Sequence, residues 1–182
     1  AFTALTGPNS NVVGVGYHAG YQNTGDSNVA VGALSLAASN SVSNCTAIGA
    51  SALTGGTGTR NTAVGASALA ANTGGNATAV GYNALLVATG AQNTAVGSQA
   101  LLANTSGTPN TAVGYMALKT NISSANNVAV GDYALSLTTS AGNTAVGSYA
   151  LASATGASNT AIGYQAGYAG AAISTGTTDT FI

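Results

Sequence analysis

Charge is the scarcest commodity in this chain. Its 182 residues include two cations, Arg60 and Lys119, and three acids, Asp26, Asp132 and Asp179, for a net charge of -1. Charged residues make up 3% of the sequence, against roughly 25% in ordinary globular domains. Without a basic patch there is nothing to neutralise a phosphate backbone, so nucleic acid is excluded as a partner. Electrostatic attachment to anionic lipid is excluded for the same reason. Tryptophan is absent, and Cys45 is the sole cysteine, so no disulfide forms within the chain and a small buried thiol is expected. No apolar run approaches the roughly 18 residues of a membrane span, so no membrane insertion is expected. The chain does not open on a charged leader followed by an apolar stretch, so no signal peptide is read.

Catalytic equipment is equally sparse, and no enzyme is expected. An active site needs a base, a nucleophile or a metal in position. His18 is the only histidine, and it reads as an exposed loop residue. The three aspartates fall at unrelated places in the pattern described below, so they form no carboxylate row and no metal site. Gly55-Gly56-Thr57-Gly58-Thr59-Arg60 carries arginine where a calcium-binding Gly-Gly-x-Gly-x-Asp repeat needs its aspartate. Around Gly14–Gly20 the glycine spacing is wrong for a dinucleotide fingerprint. Neither cofactor nor metal is implied.

What the chain has instead is repetition. The string Asn-Thr-Ala-Val-Gly stands at Asn61–Gly65, Asn93–Gly97, Asn110–Gly114 and Asn143–Gly147, with variants at Asn28–Gly32, Asn127–Gly131 and Asn159–Gly163. The motif glycines are Gly16, Gly32, Gly49, Gly65, Gly81, Gly97, Gly114, Gly131, Gly147 and Gly163, always 16 or 17 residues apart. Ala-Leu follows most of them after three residues, and a polar Ser/Thr/Gly/Asn stretch leads to the next asparagine. The array runs over residues 1–182 as a single unit.

Each repeat reads as a short strand, a glycine bend, an apolar segment and a loop. Thr and Val suit a pleated wall, and glycine ends the strand. Sixteen residues are too few for a helical repeat of 33 or more, but they suit one coil of a parallel β-solenoid. We therefore expect an all-β β-roll of about eleven turns, roughly 50 Å long at the strand spacing of a sheet. Stacked like charges would repel, which accounts for their scarcity.

Strand alternation puts Thr62 and Val64 on one face and Ala63 on the other. We read the Thr/Val face as interior. The expected core is then Val31, Ile48, Val64, Val80, Val96, Val113, Val130, Val146 and Ile162, with Leu53, Leu69, Leu85, Leu101, Leu118, Leu135 and Leu151. Asn28, Asn61, Asn93, Asn110, Asn127, Asn143 and Asn159 are expected to form a ladder of side-chain amides.

The strings Asn76-Ala77-Thr78-Ala79-Val80-Gly81 and Asn44-Cys45-Thr46-Ala47-Ile48-Gly49 resemble the head repeats of trimeric autotransporter adhesins. The chain is still more similar to the Asn-Thr-Ala-Val-Gly-Tyr-x-Ala-Leu arrays of phage-type tail fibres and bacterial surface fibres, with Tyr82, Tyr115 and Tyr164 in the tyrosine place. The resemblance spans essentially the whole chain. It implies a left-handed β-roll, three chains side by side, on the outside of a cell or virion. The period of 16–17 is longer than that of the adhesin heads, and their neck and anchor are not seen.

The leading functional expectation is a structural extracellular fibre or filament subunit that self-associates, head to tail or as a homotrimer. Ala1, Phe2, Phe181 and Ile182 are the candidate assembly ends, because the last residues read as the start of a repeat that the first residues complete. The alternative is an adhesin or receptor-binding fibre head that recognises a glycan or a matrix protein. Tyr17, Tyr82, Tyr115 and Tyr164 would be its contact surface, although packing at corners or between chains is the favoured role for the tyrosines. A third expectation is an ice-binding solenoid. Thr62, Thr94, Thr111, Thr144 and Thr160 form one rank, but the interior reading of that face speaks against it, as does the lack of a second regular threonine rank.

Overall fold

The computed structural model describes residues 11–39, 41–168 and 178–182. Its strands are Val13–Val15 (β1), Val29–Val31 (β2), Thr46–Ile48 (β3), Thr62–Val64 (β4), Thr78–Val80 (β5), Thr94–Val96 (β6), Asn110–Val113 (β7), Asn127–Val130 (β8), Thr144–Val146 (β9), Thr160–Ile162 (β10) and Thr180–Phe181 (β11). They form one parallel sheet in chain order, each strand paired with the next. Register is strict: Thr62 opposes Thr78, Ala63 opposes Ala79 and Val64 opposes Val80. The fold is a β-solenoid of about ten turns.

The second wall of each coil is not extended, yet it is also bonded from coil to coil. Ser67 donates its N–H back to Ala50 at 2.9 Å, and Leu69 donates forward to Ala84 at 3.1 Å. Alternate residues thus reach opposite neighbours, as in a parallel ladder. The second wall and the turn before each strand require left-handed backbone at non-glycine residues. Ser67, Leu69 and Asn76 have φ of 56°, 52° and 58°, a conformation that costs about 1–2 kcal/mol per residue. The inter-coil hydrogen bonds and the burial of the leucines offset that cost.

The structure reverses the expected orientation of the strands. Ala30, Ala47, Ala63, Ala79, Ala95, Ala112, Ala129, Ala145 and Ala161 point inward and are fully buried. Val31, Ile48, Val64, Val80, Val96, Val113, Val130, Val146 and Ile162 point outward with the threonines, half-buried or exposed. The reason is the thinness of the coil. Leu36, Leu53, Leu69, Leu85, Leu101, Leu118, Leu135 and Leu151 fill the interior from the second wall, and methyl groups complete the packing from the first. Close-packed interiors leave no room for a second rank of branched side chains.

One end shows this volume rule in reverse. Gly167 stands in the leucine place, following Ala166. Phe181 pairs with Ala161 in the inward rank of the sheet and packs against the core. A Cβ on Gly167 would lie 2.9 Å from the Phe181 ring and 2.7 Å from Leu151. The large ring occupies the space the missing leucine leaves.

The asparagine rank is buried, but its ladder differs from the expected one. The amides do not bond to one another along the rank. Each side-chain oxygen accepts the backbone N–H of the residue one coil on, Asn93 from Asn110 at 2.9 Å and Asn110 from Asn127 at 3.0 Å. Except at Asn127, whose buried Nδ2 has no partner, the amide nitrogen turns to loop carbonyls: Asn61 Nδ2 donates to Gly58 at 3.0 Å and to Gly74 at 2.9 Å. Cys45 and Ala77 hold the rank's place where Asn44 and Asn76 sit one residue earlier, exposed. Asn28 and Asn61 cap the N–H groups of Cys45 and Ala77.

Candidate functional site

No group of three His, Cys, Asp or Glu that could hold a metal occurs among the described residues. His18 is half-buried rather than exposed on its loop, stacked between Tyr17 and Tyr21 with ring centroids 4.0 and 4.7 Å away. Asp132 accepts the N–H of Tyr115 at 3.2 Å. Cys45 is buried, and desolvation pushes its thiol above the ordinary range, against the pull of hydrogen bonds from the Asn61 and Arg60 backbone. A shallow open groove of about 280 Å³ lies across β7 and β8, lined by Pro109, Asn110, Thr111, Asn126, Asn127 and Val128. It holds no ionisable side chain.

Two surface features are regular enough to be functional. The first is a tyrosine column. Tyr115 meets Tyr133 edge-on at 5.3 Å, Tyr133 stacks on Tyr149 at 4.9 Å, and Tyr149 meets Tyr168 edge-on at 6.0 Å. Desolvation within the column raises the Tyr133 phenol above its ordinary pKa, helped by a hydrogen bond to Tyr115 and the nearby Tyr149 and Asp132. The faces of Tyr133 and Tyr149 cover each other, so this part of the column packs coils together. Tyr17, Tyr82, Tyr115 and Tyr164 are 61%, 55%, 41% and 72% exposed. Among these four, Tyr115 alone joins the column.

The second is the outward face of the sheet. It carries two ranks of β-branched side chains, one from the first and one from the third residue of each TAV, TAI or VAV strand. Both ranks are uncharged from β2 to β10. The first rank is threonine without a break from Thr46 through Thr62, Thr78 and Thr94 to Thr111, and again at Thr144 and Thr160. Loop hydroxyls such as Ser39, Thr89 and Thr138 donate to backbone carbonyls. Among the described residues these strand threonines make no such bond.

Of the proposed assembly ends, Ala1 and Phe2 lie outside the described residues. Phe181 is packed inward, while Ile182 is 99% exposed. Sequence reasoning missed a second interior rank, three residues after the leucine place: Asn23, Ser39, Gly56, Asn72, Ala88, Asn104, Asn121, Thr138 and Ala154, all buried. The constant offset of small or polar residues was its signal. Comparison with protein-family profiles, curated proteins and solved structures returned no match.

Proposed function

We propose that the chain is a structural rod segment of an extracellular fibre, on a cell surface or a virion, that assembles with copies of itself. The observation that carries this reading is the uninterrupted in-register sheet of eleven strands, whose coils are bonded through both walls. Repeats that contact only their neighbours build length rather than an enclosed site. The near absence of charge lets coils stack without repulsion. Negative-stain electron microscopy with light scattering tests the proposal. Uniform filaments, or rods with the mass of three chains, support it. A monodisperse single chain at all concentrations overturns it.

A second reading, an adhesin or receptor-binding head, draws on the exposed Tyr17, Tyr82, Tyr115 and Tyr164. Tyrosine offers a large contact area with a polar tip. A glycan array and a matrix-protein panel test it, with loss of binding on Tyr82→Ser and Tyr164→Ser as the expected outcome.

A further inference from the structure

We infer that the outward Thr/Val face of the sheet is a binding surface for ice. The inference is independent of the fibre reading, because it rests on one face of the rod and not on assembly.

The face is a two-dimensional grid. Along the rod its side chains recur at the strand spacing of about 4.8 Å, and across it the two ranks stand about 6.7 Å apart. Register holds residue by residue: Thr78 opposes Thr94 and Val80 opposes Val96, then Thr94 opposes Thr111 and Val96 opposes Val113. Branching at Cβ restricts χ1, so the methyl groups and hydroxyls are held in repeating positions. The strand threonines spend no hydroxyl on protein atoms, as described above, so each is free to bond water. A rigid array of methyls and unspent hydroxyls, repeated at fixed intervals and lacking charge, can order a matching layer of water. A lattice of water oxygens is the ligand whose periodicity such an array meets.

Other occupants fit less well. Protein interfaces are anchored by aromatic residues and arginine, and neither ranks of β2 to β10 hold any. A sugar would need aromatic platforms, which lie elsewhere on the coil. A second copy would find a strip of about 48 by 10 Å, or about 500 Å², where a stable interface takes about 800 Å² from each partner. The strip is nevertheless large enough for an exposed apolar patch to carry function.

The test uses the 182-residue chain in nanolitre osmometry, with ice-crystal shape and incorporation of fluorescently labelled protein into a growing ice hemisphere as further readouts. Light scattering in the same buffer reports mass. We expect faceted crystals, a gap between melting and freezing points, and incorporation. Thr78→Tyr with Thr94→Tyr should abolish all three while the circular dichroism spectrum stays unchanged. Thr94→Val, which keeps shape and loses only the hydroxyl, should narrow the gap. Leu137→Lys, at an exposed position outside the sheet, should leave it intact. Rounded crystals with the protein excluded from ice would overturn the inference. So would a gap that survives both tyrosines, or an assembly in which the face is covered by another chain. A fibre that forms without any ice activity would leave the structural reading standing and refute this one.

Discussion

The side-chain oxygen of Asn93 accepts the backbone N–H of Asn110, one coil further along, at 2.9 Å. The same residue's amide nitrogen donates to Gly90 at 3.2 Å and to Gly107 at 2.8 Å. One buried side chain thus satisfies groups in its own coil and in the next. Asn93→Ala should destabilise the rod by about 1–3 kcal/mol for each group left without a partner. Asn93→Asp should cost more, because a carboxylate oxygen would then face two carbonyls. Urea midpoints of the three proteins check the order.

The rank has two gaps, and filling them should stabilise the chain. Cys45 makes only long sulfur contacts, donating to Ser43 at 3.5 Å and Gly58 at 3.6 Å and accepting the Asn61 N–H at 3.5 Å, and Ala77 has no polar side chain. Cys45→Asn would replace weak sulfur contacts with amide hydrogen bonds, and Ala77→Asn would supply donors to loop carbonyls and an acceptor for the next coil. A gain of about 1 kcal/mol each is the expected size for a net hydrogen bond, read as a higher melting temperature. No change in either variant would show that the gaps already hold their best residues.

The inward alanines and outward valines can be told apart by swapping volumes. Ala112→Val should cost about 1–3 kcal/mol through overpacking, since Ala112 has no exposed surface. Val113→Ala, on the outer rank, should cost well under that. Leu101→Ala should cost about 2–5 kcal/mol by leaving a cavity. If Val113→Ala proved the more damaging of the two strand variants, the orientation described above would be wrong.

The Cys45 thiol is buried and held above its ordinary pKa by desolvation. The thiolate is the reactive form. At neutral pH a chromogenic disulfide reagent should therefore label the folded chain only at the rate of unfolding. Labelling should become immediate in denaturant.

Tyr133 is expected to ionise above the free phenol value of about 10, because desolvation, the Tyr115 hydrogen bond and neighbouring groups all favour its neutral form. The folded state then holds this proton more tightly than the unfolded state does. The resulting stability is present in full below about pH 10 and is lost as pH rises through the folded value. An alkaline absorbance titration should show one late phenol, and Tyr133→Phe should remove it.

The period, the strand positions, the leucine rank and the asparagine rank were all legible, because each recurs every 16 or 17 residues and coils stack only in register. The direction of the strands was not. Alternation says that Thr62 and Val64 share a side, and hydropathy alone then draws valine inward. What decides the matter is cross-section: with Leu69 already filling the coil, only Ala63 fits from the other wall. The second interior rank was hidden for a related reason. Asn72, Asn104 and Thr138 are polar, yet the narrow coil buries them where hydropathy would place a loop. The stacking of His18 between two rings depends on left-handed backbone at that residue, with φ 53°, for which a histidine gives little local signal.

The glycine column has a further consequence. A Cβ on Gly81 would lie 2.5 Å from the carbonyl oxygen of Gly97, and Gly97 stands in the same relation to Gly114. Each coil therefore sits at the closest approach its neighbour allows. Length in such a molecule is counted rather than adjusted. A deletion of one whole repeat would shorten the rod by a single strand spacing and leave every remaining contact in phase. A deletion of a few residues would put glycine, asparagine and leucine out of step at the same moment. Duplication and loss of whole turns are thus the changes that a rod of this kind can survive.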